Sequence, residues 1–175
     1  MYIIIVIIII ISTMVLQLLI TIKLLIMVKY NLLDKQREFI EIPHNENNFD
    51  RVYDLVERVS SYFNVKPIIA HIERFRYLYA NRNNLENLRR LGCLFQIDAA
   101  VVLMGKFFVK RAVMNLISDG FVDIVASDCH DEIRCPNLEP AYEVIEKKLG
   151  KDVCDRLKKN PYLILENVSA QKIMP

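Results

Sequence analysis

Two short β-branched runs, each ending abruptly in a polar cluster, constrain the fold of this 175-residue chain most strongly. Pro67-Ile68-Ile69-Ala70 leads into His71-Ile72-Glu73-Arg74, and Val122-Asp123-Ile124-Val125-Ala126 leads into Ser127-Asp128-Cys129-His130. A run as continuously apolar as 67–70 reads as a strand covered on both faces, the signature of a parallel sheet. Strands are expected at 39–42, 66–70, 93–97 and 121–126. Helical periodicity lies between them. Val52, Tyr53, Val56, Val59 and Phe63 repeat at helical spacing from Phe49, and Leu85, Leu88 and Leu91 follow a cap at Asn83 or Asn84. A further helix is expected over 107–118, then two at 138–149 and 151–159, stopped by Gly150 and by Asn160-Pro161. The alternation predicts an α/β fold with a parallel sheet, and four strands are too few to close a barrel, so a partial one is expected. In such folds functional groups gather at the carboxyl ends of strands, where Glu41, His71, Asp98 and Asp128 all fall.

Hydrophobic residues make up 53% of the chain, and the excess lies at the N-terminus. Residues 1–22 carry no charge, and Ile3 to Ile11 is almost unbroken isoleucine. About 20 apolar residues suffice to span a bilayer as a helix. Lys23, Lys29, Lys35 and Arg37 follow this stretch and none precede it, so residues 1–28 are expected to anchor a cytoplasmic remainder to the inner face of the plasma membrane. The alternative is a displaced gene start with no role. Residues 29–38 read as a linker, and residues 39–175 as the functional part. A net charge of +2 without a basic stripe gives no case for nucleic acid. Cys93, Cys129, Cys135 and Cys154 show no paired spacing and are expected as free thiols.

The chemistry is carried by the two polar clusters. Asp128 and His130 alternate past a strand, so both can face one site, and carboxylate with imidazole suits Mn, Fe or Zn. His71 stands at a second strand end. Glu41, between Ile40 and Ile42, is either a paired or metal-bound carboxylate or a water-facing residue on an edge strand. Arg74 and Arg134 follow the candidate ligands and suit phosphate oxygens; for Arg74 an ion pair with Glu73 competes with that role. His44 is expected exposed. Cys129 and Arg134 are separated by four residues, and the stretch lacks the glycines of a phosphate-cradling thiolate loop, which excludes a cysteine mechanism.

Further motifs run in order along the chain: Phe39-Ile40-Glu41-Ile42-Pro43, Ile69-Ala70-His71-Ile72-Glu73-Arg74-Phe75-Arg76-Tyr77 and Leu94-Phe95-Gln96-Ile97-Asp98-Ala99. They continue through Ala126-Ser127-Asp128-Cys129-His130, Arg134-Cys135-Pro136, Ala141-Tyr142-Glu143, Asn160-Pro161 and Leu165-Glu166-Asn167. From about Phe39 to Val168 the chain resembles the bacterial capsule and exopolysaccharide tyrosine-protein phosphatases, manganese-dependent members of the polymerase-and-histidinol-phosphatase (PHP) superfamily. The resemblance implies part of a distorted seven-stranded α/β barrel holding two or three Mn2+ ions. Glu41, His71, Asp128 and His130 match the family's metal ligands, and Arg74 and Arg134 its phosphate-binding and transition-state arginines. It further implies hydrolysis of phosphotyrosine by metal-activated water, on the tyrosine-rich tail of a polysaccharide-synthesis kinase.

The chain departs from that pattern in several places. It has three histidines and no His-x-His motif, which the family carries on its first strand. Ile72 stands for the usual proline, Asp98 for the usual asparagine, and Ala100-Val101 for a Gly-Ser pair. Two alternatives therefore stand beside an active phosphatase: an inactive, truncated remnant, or another PHP-type phosphoesterase. A homo-oligomer in which two chains complete one site is a further expectation.

Overall fold

A computed structural model of the protein describes residues 37–43, 45–128 and 138–166. Four strands, β1 (Arg37–Ile40), β2 (Lys66–Ile69), β3 (Leu94–Asp98) and β4 (Ile124–Ala126), form one parallel sheet in the order β1-β2-β3-β4. Neighbours in sequence are thus neighbours in space, each joined by a helical crossover as parallel pairing requires. The crossovers are α1 (Phe49–Phe63), then a 3-10 turn (Ile72–Arg74) with α2 (Arg76–Tyr79) and α3 (Arg82–Arg90), then α4 (Ala99–Met104) with α5 (Phe107–Ser118). Beyond β4 come α6 (Glu139–Leu149) and α7 (Lys151–Leu165).

The expected α/β architecture is observed, and the differences from expectation have physical causes. β1 begins at Arg37, inside the segment read as linker; the side chain is buried and donates from Nη1 to the Gly92 carbonyl at 3.2 Å. A long arginine stem buries its carbons while its head finds an oxygen. Asn81, rather than Asn83 or Asn84, caps α3 by accepting from the Asn83 amide. Asn160-Pro161 does not stop α7. Asn160 is buried and donates from Nδ2 to the Asp123 carbonyl at 3.0 Å, and the helix continues so that Leu163 and Ile164 cover Ile68, Leu94 and Ile124.

The main core lies on the other face of the sheet, where Ile69, Phe95, Ile97 and Val125 meet Val52, Val56, Leu78, Leu85 and Leu88 from the helices. β3 is buried at every position. One buried ion pair ties its start to β4: Arg89 Nη1 lies 2.6 Å from Asp123 Oδ2 and Nη2 2.9 Å from Oδ1. Asp123, fully buried, also accepts the Phe95 amide at 2.7 Å, while Arg89 donates to the carbonyls of Cys93, Gly120 and Phe121. Both carboxylate oxygens and both terminal guanidinium nitrogens are thus hydrogen-bonded, the condition under which a buried ion pair can persist. Cys93 and Cys154 are buried free thiols, and burial pushes the Cys93 thiol up to about 12, which leaves it inert.

No helix among the described residues is long and apolar enough to cross a membrane. The expected anchor at residues 1–28 lies outside the described residues, as do His44, Cys129, His130, Arg134 and Cys135.

Candidate metal centre

The carboxyl edge of the sheet gathers the polar groups. β2 ends at Ile69 and β4 at Ala126, and in each case the side chain two residues further on, His71 or Asp128, turns into one cluster. Both residues hold a left-handed backbone, with φ of 54° and 51°. Non-glycine residues adopt this region at a cost of about 1–2 kcal/mol, and such strain collects at functional sites. Ligand atoms of His71, Asp98 and Asp128 lie within 4.8 Å of one another.

His71 is the hub. Nδ1 lies 3.0 Å from Asp98 Oδ1, off the hydrogen-bond axis, and 3.9 Å from Glu73 Oε1. Nε2 faces Asp128 Oδ1 at 3.6 Å and Glu41 Oε1 at 3.8 Å. The His71 amide donates to Gln96 Oε1 at 3.1 Å, and Gln96 in turn donates to Asp98 Oδ1 at 3.4 Å. These buried bonds lock the end of β2 to the end of β3. Arg74 Nη2 donates to both Asp98 and Asp128, each at 3.2 Å. A cleft of about 160 Å³ opens beside the cluster, with His71, Arg74 and Glu41 as its polar lining and Ile42, Ala70 and Phe75 as apolar walls.

Glu73 completes the group. It is buried, and neither carboxylate oxygen has a hydrogen-bond partner. Burial raises its pKa to about 7, helped by the nearby Asp98 charge. Four carboxylates thus surround one imidazole and one guanidinium. Crowding of this kind is relieved by protons or by a cation, and the mixed oxygen and nitrogen donor set fits a borderline divalent metal.

Most sequence-predicted residues are brought together here. Glu41 lies just past β1 and is exposed, so it is a water-facing residue as one reading held, yet its carboxylate still reaches toward His71. Arg74 pairs with Asp98 and Asp128 rather than with Glu73. His130 and Arg134 lie outside the described residues. Asp98 falls at an expected strand end, but its spacing from His71 carries no signal that β3 sets it against the imidazole and Arg74 together.

A family model described as "Capsular polysaccharide synthesis, CpsB/CapC" matches residues 20–166. A tyrosine-protein phosphatase CpsB of Streptococcus agalactiae is 31% identical over 111 residues, covering 59% of this chain and 46% of the relative. The tyrosine-protein phosphatase YwqE of Bacillus subtilis is 30% identical over 140 residues, covering 77% of this chain and 53% of the relative. A structure from a crystallographic study of Bacillus subtilis YwqE and Streptococcus pneumoniae CpsB, described as unique metal-dependent tyrosine phosphatases, superposes with a TM-score of 0.66 at 27% identity. That match covers 78% of this chain and 55% of the other. The chain spans about half the length of the curated relatives it matches.

Proposed function

We propose, for a chain that belongs to the capsular polysaccharide synthesis CpsB/CapC family, a metal-dependent protein-tyrosine phosphatase activity centred on His71. The observation that carries this reading is the two-sided environment of that imidazole: Nδ1 against Asp98, Nε2 toward Asp128 and Glu41, with Arg74 bridging Asp98 and Asp128. In this reading Glu41, His71 through Nε2, Asp128 and His130 hold the cation, taken as Mn2+. When bound, the cation supplies Lewis acidity and lowers the pKa of water to the neutral range. Asp98 does not ligate. Its carboxylate beside Nδ1 favours the tautomer that keeps the proton on that nitrogen and presents Nε2, an arrangement common to metal-bound histidines.

Arg74 engages the phosphoryl group. Only Nη2 is engaged by carboxylates among the described residues, which leaves the donors on Nε and Nη1 for phosphate oxygens. Arg134 is assigned the same chemistry from the other polar cluster. The apolar walls at Ile42 and Phe75 suit the phenyl ring of phosphotyrosine beside the polar floor. The substrate in this reading is a phosphotyrosine on a polysaccharide-synthesis kinase. The sequential strand order supports assignment to a PHP-type partial barrel. Residues 1–28 are assigned as membrane anchor at the cytoplasmic face, and residues 39–175 as the phosphatase part.

A second reading is a chain that binds cation and phosphopeptide without turnover, or whose site is completed in a homo-oligomer. It is favoured by the lack of any His-x-His pair among the three histidines. Calorimetric titration of Mn2+ into the chelator-stripped chain tests the metal assignment. Saturable binding lost in His71→Ala and Asp128→Ala supports it; binding unchanged in both sinks it.

A further inference from the structure

The segment from Ala99 to Ser118 contains three charged residues, Lys106, Lys110 and Arg111, and no acid. In its middle stand three of the most exposed apolar side chains of the described residues: Met104, Phe107 and Phe108, at 82%, 71% and 81% exposure. The feature is built. Gly105 sits where a Cβ would meet the Val101 carbonyl oxygen at 2.4 Å, so the α4–α5 turn admits only glycine without a shift of backbone. The Phe107 and Phe108 rings pack edge to face with centroids 5.5 Å apart, and Lys110 Nζ donates to the Leu103 carbonyl at 3.2 Å. The chain between the parallel neighbours β3 and β4 must return from the carboxyl edge of the sheet to its amino edge, and α5 makes that return. Its N-terminal residues therefore stand at the carboxyl edge, the same edge as His71 and Arg74. α5 also packs against the 3-10 turn that carries Arg74.

We infer that this apolar-basic ridge, Met104 to Arg111, is the docking surface for an acidic peptide segment flanking the phosphotyrosine, an inference that rests on the phosphatase reading above. A chain whose phosphoryl group lies in the Arg74 cleft runs along this edge. Lys106 and Arg111, both exposed, complement acidic flanking side chains, while Phe107 and Phe108 receive apolar or aromatic ones. The shared edge favours peptide over an anionic lipid surface, which the same composition would also attract.

The test compares the full chain supplied with Mn2+ against Phe107→Ser/Phe108→Ser and Lys106→Glu/Arg111→Glu. Anisotropy of a fluorescein-labelled phosphotyrosine peptide with acidic flanks reads docking, and turnover of p-nitrophenyl phosphate reads the chemistry alone. Each variant should weaken peptide binding about tenfold, with p-nitrophenyl phosphate turnover unchanged. Both variants melt like the parent if the surface is not structural. Unchanged peptide affinity in both, or no peptide binding by the parent, overturns the inference. So does ridge-dependent binding to phosphatidylserine vesicles without any effect on the peptide, which makes lipid the occupant. Peptide binding by a parent that turns over neither substrate leaves the docking surface standing and removes the phosphatase reading.

Discussion

Substituting Glu73 by glutamine should make the metal-free protein more stable at alkaline pH, although the residue lies inside the proposed site. Glu73 is 6% exposed, its oxygens lack hydrogen bonds, and its pKa is raised from 4.5 to about 7. The sign follows from proton binding. Between those values the folded chain holds a proton that the unfolded chain has released, so stability is full below about pH 4.5 and is lost as pH rises through about 7. That rise corresponds to about 3 kcal/mol once both states are ionised. Between pH 5 and 8.5 the parent should lose about 2–3 kcal/mol through this group. Glu73→Gln removes the charge and keeps the shape, so its stability should be flat in this respect. Urea unfolding of both proteins across that range, in chelator, measures the difference. A Glu73→Gln protein that is less stable than the parent at pH 8.5, or a gap that does not change with pH, rules out an uncompensated buried charge at Glu73.

Two further substitutions probe the scaffold and the site. Asp123→Ala leaves the Arg89 guanidinium and the Phe95 amide without their buried partner and should cost about 3–5 kcal/mol in chemical denaturation; a loss below 1 kcal/mol contradicts the clamp. Asp98→Asn keeps the shape but removes the charge set against His71 Nδ1, and Mn2+ affinity measured by calorimetry should fall about 10–100-fold with the melting transition retained. If Asp98 is itself a ligand rather than a positioning residue, Asp98→Asn and His71→Ala should abolish binding equally.

Much of the scaffold was legible because its helices are amphipathic. α1 and α5 occupy the residues their periodicity predicts, since each buries one regular stripe against the sheet. α4 was not foreseen: Ala99-Ala100-Val101-Val102-Leu103-Met104 is apolar all round, and a period cannot be read where every position is hydrophobic. The stop expected at Asn160-Pro161 failed because local breaker residues lost to tertiary packing of Leu163 and Ile164. In the site, His71, Asp128 and Arg74 were visible because polar residues at the ends of apolar strands have few reasons to be there. The burial of Glu73 was not visible, for the 3-10 turn that carries it inward leaves no mark in residue spacing. Nor was the left-handed backbone at His71 and Asp128, where sequence alone points to glycine.

Cation-dependent hydrolysis of phosphotyrosine at the His71 cluster is best measured as turnover of a phosphotyrosine peptide with Mn2+ and then with chelator. Phosphate release should stop on chelation and fall by about three orders of magnitude in Asp128→Ala. Turnover indifferent to both chelator and Asp128→Ala, or none at all from folded, Mn2+-loaded protein, contradicts it.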